Sequence, residues 1–285
     1  MLFAFGALFL KRASASGVSA WTQIFLANQL AALLFSCFLA LGGTWPGASQ
    51  LWQPALIGFL YLIGQTFILT AVRVGDVSVA TPVASLKVVV VAVFLTLIAG
   101  TSPPPVIWLA AMLAAAGVFL INYFVPQADR SNVVLTASLA FAAACTFALF
   151  DVCVQMFTED WGTGYLAATS YWFVGLYSLM LLPLCDRPKA LIGQMKWRSL
   201  LFGSCLVAIQ ASFLVYSISR FGDAARVNVV YSLRGLWGVV FAWMFARYFG
   251  GKERSVPQKT MVLRLIGACL LVVSVIITII GMQET

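Results

Sequence analysis

The chain has 285 residues, 62% of them apolar and 9% charged, with a net charge of +8 and no histidine. Ordinary globular proteins carry about 25% charged residues, so a soluble fold could not cover its surface with this set. The composition excludes two soluble domains, zinc-protease motifs and Ser-His-Asp triads, and its positive excess fits basic membrane loops better than a nucleic-acid partner.

Several apolar runs exceed the roughly 18 residues that mark a spanning helix, which predicts an all-α polytopic membrane protein. In chain order the predicted helices lie near 1–14, 20–41, 52–72, 76–99, 105–124, 133–157, 163–184, 198–219, 224–249 and 260–281. The first is short. Ala13-Ser14-Ala15 resembles a signal-peptidase site, but Lys11 and Arg12 follow the apolar run where a secretory signal places charge before it, so a retained helix is expected. The breaks are Gly42-Gly43-Thr44-Trp45-Pro46-Gly47, Thr101-Ser102-Pro103-Pro104-Pro105 and Arg187-Pro188-Lys189, none long enough for a soluble domain. The cysteines (Cys37, Cys145, Cys153, Cys185, Cys205 and Cys269) lack metal-ligand spacing, and most read as small apolar side chains. No cofactor or metal site is expected.

The fourth and ninth predicted helices repeat each other. Residues 73–99 align without a gap on 220–246, through Arg73/Arg220, Gly75/Gly222, Asp76/Asp223, Val83/Val230, Ser85/Ser232, Leu86/Leu233, Val93/Val240, Phe94/Phe241 and Ala99/Ala246, with Lys87 opposite Arg234. Apolar composition alone does not place Arg-x-Gly-Asp and Ser-Leu-(Lys/Arg) in one register. The offset predicts ten helices as two five-helix repeats, 1–126 and 127–285. Five is odd, so the second repeat enters the membrane from the opposite side. Inverted repeats of this kind place a binding site near the midplane.

Gly6-Ala7-Leu8-Phe9-Leu10-Lys11, Ala71-Val72-Arg73-Val74-Gly75-Asp76, Ser85-Leu86 and Ala114-Ala115-Ala116-Gly117 together resemble the drug/metabolite transporter superfamily, specifically its EamA-like ten-helix members. The resemblance covers essentially the whole chain. It implies transport of small metabolites by alternating access without ATP hydrolysis. Members often have proline near the Val88 position and Gly-Glu closing the fourth helix; here Pro82 comes earlier and Thr101 follows Gly100. No particular member's substrate is therefore carried over. The expected setting is the bacterial cytoplasmic membrane, with the bilayer and a small-molecule substrate as partners, no nucleic acid, and a homodimer left open.

Lys87 is the twelfth residue of its predicted helix, roughly 16 Å from the helix start, too deep to reach water easily. A cation at that depth costs at least about 2.5–3.5 kcal/mol, so it faces a cavity or a partner. Its repeat mate Arg234 sits alike, which predicts an electropositive cavity for a carboxylate or phosphate. The alternative is pairing with an internal acid, and Asp151 is the one acid well inside a predicted helix. It is a candidate counter-ion or proton-coupling group. Tyr231, Arg234, Trp237 and Gly238 share a helix face, so the two aromatic rings are candidates to flank an organic anion, with ordinary packing as the rival. Gln65 and Gln210, with Asn28 and Gln29, either line the cavity or bridge helices. Asp76 and Asp223 each follow glycine at a helix start and are expected to be caps.

With the N-terminus outside, Lys11, Arg12, Arg73, Arg130, Arg187, Lys189, Lys196, Arg198, Arg247, Lys252, Arg254, Lys259 and Arg264 fall on the cytoplasmic side, against Arg220 and Arg226 outside. Charge bias thus favours both termini outside, whereas the resemblance implies both inside. No catalytic residue is expected: the nine acids are scattered and there is no histidine. The leading expectation is a secondary-type transporter of a small anionic or zwitterionic metabolite. The alternative is a flippase for a phosphate-bearing lipid or lipid-linked intermediate, which would use the same cations.

Overall fold

The computed structural model describes residues 2–75, 77–122, 132–187, 196–237 and 258–281. Among them the chain is all-α: α1 (Leu2–Ala15), α2 (Ala20–Ser36), α3 (Trp52–Val74), α4 (Val77–Ser85), α5 (Lys87–Leu97), α6 (Pro105–Asn122), α7 (Val133–Ser178), α8 (Lys196–Phe221), α9 (Ala224–Ser232) and α10 (Gln258–Ile280). Short 3-10 turns at Cys37–Leu41 and Leu179–Leu184 extend α2 and α7. Six of these segments are long and apolar enough to cross a bilayer: Ala20–Leu41, Ala48–Val74, Val79–Leu97, Val133–Leu184, Trp197–Phe221 and Val262–Ile280. Large apolar side chains such as Leu97, Val134 and Met180 are three-quarters or more exposed, which suits a lipid surround and not water.

The described helices overlap most of the predicted ones, six of the described segments rather than ten are long and apolar enough to span, and one stretch is divided differently. The stretch predicted as 133–157 and 163–184 is two helices that meet at a kink at Gly162, at φ 72° and ψ 159°. Only glycine adopts that conformation routinely. The stretch predicted as one helix over 76–99 is divided at Leu86 into α4 and α5. Asp76 and the second part of the predicted 224–249 helix, from Gly238 on, lie outside the described residues.

Two compact units are present, and each draws on both sequence halves. The first comprises Met1–Leu62 and Cys153–Gly222. Here Ser19 caps α2 by accepting from Thr22 N at 3.2 Å, and Asp186 accepts from Ser19 N at 2.6 Å and Thr22 Oγ1 at 3.0 Å. α1 and α2 pack on α8, where Gly6 and Gly203 bring two backbones together: a Cβ on Gly203 would lie 3.1 Å from the Gly6 carbonyl oxygen. The Gly162 interruption belongs to this unit. Gly43 packs so closely on it that a Cβ on Gly162 would sit 2.7 Å from Gly43 Cα. Thr44 N donates to the Trp161 carbonyl at 3.0 Å, and the buried Trp161 indole donates to Gln53 Oε1 at 2.6 Å.

The second unit comprises Ile63–Val152 and Asp223–Thr285. Its core is Val88, Ala110, Ala111, Ala114, Val118, Ile121, Val229 and Leu271, contributed by α5, α6, α9 and α10. The Ala114-Ala115-Ala116-Gly117 stretch lets α6 approach α10, since a Cβ on Gly117 would lie 2.8 Å from the Gly267 carbonyl oxygen. Close packing of small residues is how helices associate where lipid removes the hydrophobic drive.

Within this unit the Leu86 interruption has a counterpart at Leu233, its mate in the sequence repeat. Leu86 (φ −59°, ψ −14°) donates back three residues to Val83 O at 3.1 Å, and Leu233 (φ −56°, ψ −15°) to Val230 O at 3.2 Å. The preceding serines also match, with Ser85 Oγ donating to Pro82 O and Ser232 Oγ to Val229 O, both at 2.5 Å. Four-residue bonding then resumes from Leu86 O to Val90 N and from Leu233 O to Trp237 N. A single tightened turn inside an apolar helix is a hinge-like feature, and here each one is followed at once by a cation.

Candidate functional site

The α7 segment around Asp151 offers almost nothing to solvate a charge. Ala140, Ala143, Ala144, Ala148, Phe150 and Val152 are all buried, and Asp151 itself has no exposed surface. An ion removed from water this completely costs several kcal/mol, so it needs a partner. Lys87, first residue of α5, supplies one: its Nζ lies 2.6 Å from Asp151 Oδ2. Lys87 is 8% exposed, so the pair is buried at both ends.

A third group meets the same oxygen. Asn228 Nδ2 donates to Asp151 Oδ2 at 2.6 Å and to Ala224 O at 2.8 Å, which holds the amide along α9. α9 begins at Asp223, whose side chain accepts from Arg226 N at 2.9 Å and pairs with Arg226 Nε at 3.1 Å. The cap therefore sets the register that turns Asn228 inward. Among the described residues two buried acceptors here have no donor: Asp151 Oδ1 and Asn228 Oδ1.

Aromatic rings complete the surroundings. Lys87 Nζ lies 5.8 Å from the ring centroids of both Phe147 and Tyr231. Phe147 precedes Asp151 by one turn of α7, so one helix face provides both the carboxylate and a ring for the ammonium. Arg234 stacks its guanidinium 4.3 Å from the Tyr231 centroid and donates from Nη1 to Tyr231 Oη at 2.6 Å. Arg234 also acts electrostatically on Asp151. Lys87 thus pairs with the carboxylate, while Arg234 engages the Tyr231 ring and hydroxyl.

Of the candidates read from the sequence, Lys87, Asp151, Tyr231 and Arg234 come together in the second unit. Trp237 follows one turn beyond Leu233 and is half-buried. Gln65, half-buried on α3, is adjacent in sequence to Gly64, against which the Phe147 ring packs closely enough that a Cβ would lie 2.9 Å away. Gln210 is half-buried on α8, in the first unit. Gln29, also there, donates to Gly175 O at 3.0 Å and Ser178 Oγ at 2.9 Å, which is helix bridging; Asn28 is buried. Asn228 and Phe147 were not anticipated. The repeat sets Asn228 opposite Thr81, and its three-residue spacing from Tyr231 puts both on one helix face; those are the signals that would have found it. Among the described residues no group of three His, Cys, Asp or Glu is placed to hold a metal.

Residues 1–123, less than half of the chain, are similar to the EamA-like transporter family. A solved structure described only as a protein crystal structure is similar in fold, with a TM-score of 0.74 at 16% identity, over 99% of this chain and 97% of that one. At that identity the likeness shows the fold alone. None of the curated proteins matches the chain. Members of that family are typically transporters. The apolar helices make the chain an integral, multi-pass membrane protein.

Proposed function

We propose that the chain is a secondary-type transporter that moves a small anionic or zwitterionic metabolite by alternating access, in the bacterial cytoplasmic membrane. Its spans form two inverted five-helix repeats, 1–126 and 127–285, with the substrate in a midplane cavity between the repeats. The matching interruptions at Leu86 and Leu233 support the repeat. One observation carries the substrate class: two cations, Lys87 and Arg234, follow those interruptions directly, and Lys87 pairs with the buried Asp151 carboxylate. That arrangement holds an excess positive charge inside an apolar helix packing, where a substrate anion gains most from it.

Arg234 offers a planar fork already oriented by Tyr231, suited to a carboxylate or phosphate. Lys87 offers its ammonium, and Asp151 is its counter-ion in the absence of substrate. Tyr231 and Trp237 flank the organic part, and Gln65 gives it a hydrogen bond. No residue does covalent chemistry.

The test is thermal stabilisation of the purified protein by a panel of carboxylates, phosphates and amino acids, for wild type, Lys87→Ala and Arg234→Ala. Stabilisation by an anionic member is expected in the wild type and is lost or weakened at least tenfold in both variants, the loss of about 1.4 kcal/mol of charge-assisted binding. Equal stabilisation of all three proteins would show the electropositive site to be wrong. A water-soluble hit also separates this reading from a lipid flippase.

A further inference from the structure

The two orphan oxygens beside the ion pair belong to one chemical pattern. A carboxylic acid and a primary amide pair in a ring: the amide N–H donates to one acid oxygen, and the acid O–H donates to the amide oxygen. Asn228 and Asp151 already make the first of these bonds, Nδ2 to Oδ2 at 2.6 Å. The atoms that would make the second, Asp151 Oδ1 and Asn228 Oδ1, are both acceptors, both buried and both without a donor among the described residues. One proton taken from solvent onto Asp151 Oδ1 supplies the missing donor and satisfies two buried oxygens together.

We propose that Asp151 and Asn228 form a proton seat coupled to anion binding at Lys87, so that one proton and one substrate anion bind together. The coupling follows from competition. While Asp151 is ionised, it and a substrate anion compete for the same ammonium, which lies 2.6 Å from Oδ2. Protonating Oδ1 neutralises the competitor and leaves Lys87 to the incoming anion. The reverse holds by linkage: an anion on Lys87 raises the affinity of Asp151 for its proton by the same factor. The transporter is then an anion–proton symporter. An uncharged Asp151 beside an empty Lys87, or an ionised one beside an anion-bound Lys87, is the disfavoured state that suppresses uncoupled cycling.

Among the described residues, the charged and titratable side chains near Asp151 include Cys145 and Cys153 on α7 itself. Lys87 comes from α5, with Tyr231 and Arg234 from the stretch around Leu233. α4 and α6 contain no ionisable residue, and α10 turns Leu271, Ser274 and Thr278 inward.

This inference rests on the anion-binding reading above, and two measurements on the full chain in detergent separate them. The first needs no ligand: infrared difference spectra between alkaline and acidic buffer. A carboxylic-acid carbonyl band is expected on acidification, absent in Asp151→Asn and displaced in Asn228→Ala. Absence of any band assignable to Asp151 overturns the proton seat.

The second uses sulfate and methanesulfonate, whose charges do not change across this range. Their apparent affinity in the wild type is expected to rise by about tenfold per unit fall in pH while Asp151 titrates, as one linked proton requires. Asp151→Asn is expected to bind them without pH dependence, as tightly as wild type in acid. A wild-type affinity independent of pH, or one that depends equally on pH in Asp151→Asn, overturns the coupling. A sodium requirement in place of the acid requirement also overturns it, assigning the orphan oxygens to a metal cation. Binding of neither anion by any variant overturns the anion-binding reading, and the infrared band then reports on the proton seat by itself.

Discussion

Two kinds of helix interruption occur in this molecule, and they work by different physics. In the first unit α7 is broken at Gly162, by a backbone conformation reserved to glycine, and the gap is closed by the backbone of Gly43. That contact is backbone against backbone, with the Tyr165 ring packed beside Gly43. In the second unit the interruptions at Leu86 and Leu233 stay in the right-handed helical region, need no glycine, and lead directly into Lys87 and Arg234. The first kind is steric and holds a loop against a helix. The second leaves the backbone unstrained and spends its geometry on turning a cation inward, which is why we place binding there and not at Gly162.

The two second-unit interruptions also differ from each other. Their backbones and serine hydrogen bonds superpose in kind, yet Lys87 reaches a buried carboxylate and Arg234 reaches a phenol. The side chains around them explain this. Tyr231 replaces Ala84 in the repeat register, giving Arg234 a ring to stack on, whereas Lys87 has a compact ammonium suited to a point-charge partner.

The largest expected effect comes from breaking the ion pair. Lys87→Ala leaves Asp151 buried and unpaired and should cost about 3–5 kcal/mol, read as a lowered thermal midpoint in detergent. The double variant Lys87→Met/Asp151→Leu should recover most of that loss while leaving anion binding abolished. A double variant as unstable as the single would show that the pair is not the cause.

Gly162→Ala tests the steric interruption. The disfavoured φ alone costs about 1–3 kcal/mol, and the added Cβ meets Gly43 Cα at 2.7 Å. Stability should fall with no change in the pH dependence of sulfate binding. A change in that pH dependence would erase the distinction between the two kinds of break.

The smallest effect is at the arginine. Tyr231→Phe keeps the ring under the guanidinium but removes the hydroxyl, and should cost about 1 kcal/mol or less in stability. Anion affinity should weaken a few-fold because the fork is less well oriented. Unchanged affinity would make Tyr231 a packing residue.

Much of this was legible in the sequence because lipid is a severe solvent. A bilayer demands long apolar helices with every backbone group satisfied, so the spans are written as runs that composition alone reveals. Charge is expensive there, so Lys87, Arg234 and Asp151 stood out by depth without any structure. Asp223 was readable as a helix cap, but its ion pair with Arg226, one turn inside α9, was not. The interruption at Leu86 was not legible, since Ser-Leu-Lys contains no breaker and Pro82 lies four residues earlier.

What the sequence by itself determined is therefore the class of molecule, the placement of its helices and the short roster of deep charges. Those follow from local composition and from the cost of transferring each residue into hydrocarbon. The tertiary structure decided which charges meet. Asp151 is 64 residues from Lys87 and 77 from Asn228 in the chain, and only the packing of α5, α7 and α9 in one unit brings three polar atoms to within 2.6 Å of one another's partners. Contacts between distant segments depend on how helices pack, on small residues such as Gly117 and Gly267 and on caps such as Asp223, and no local reading of any one helix contains them.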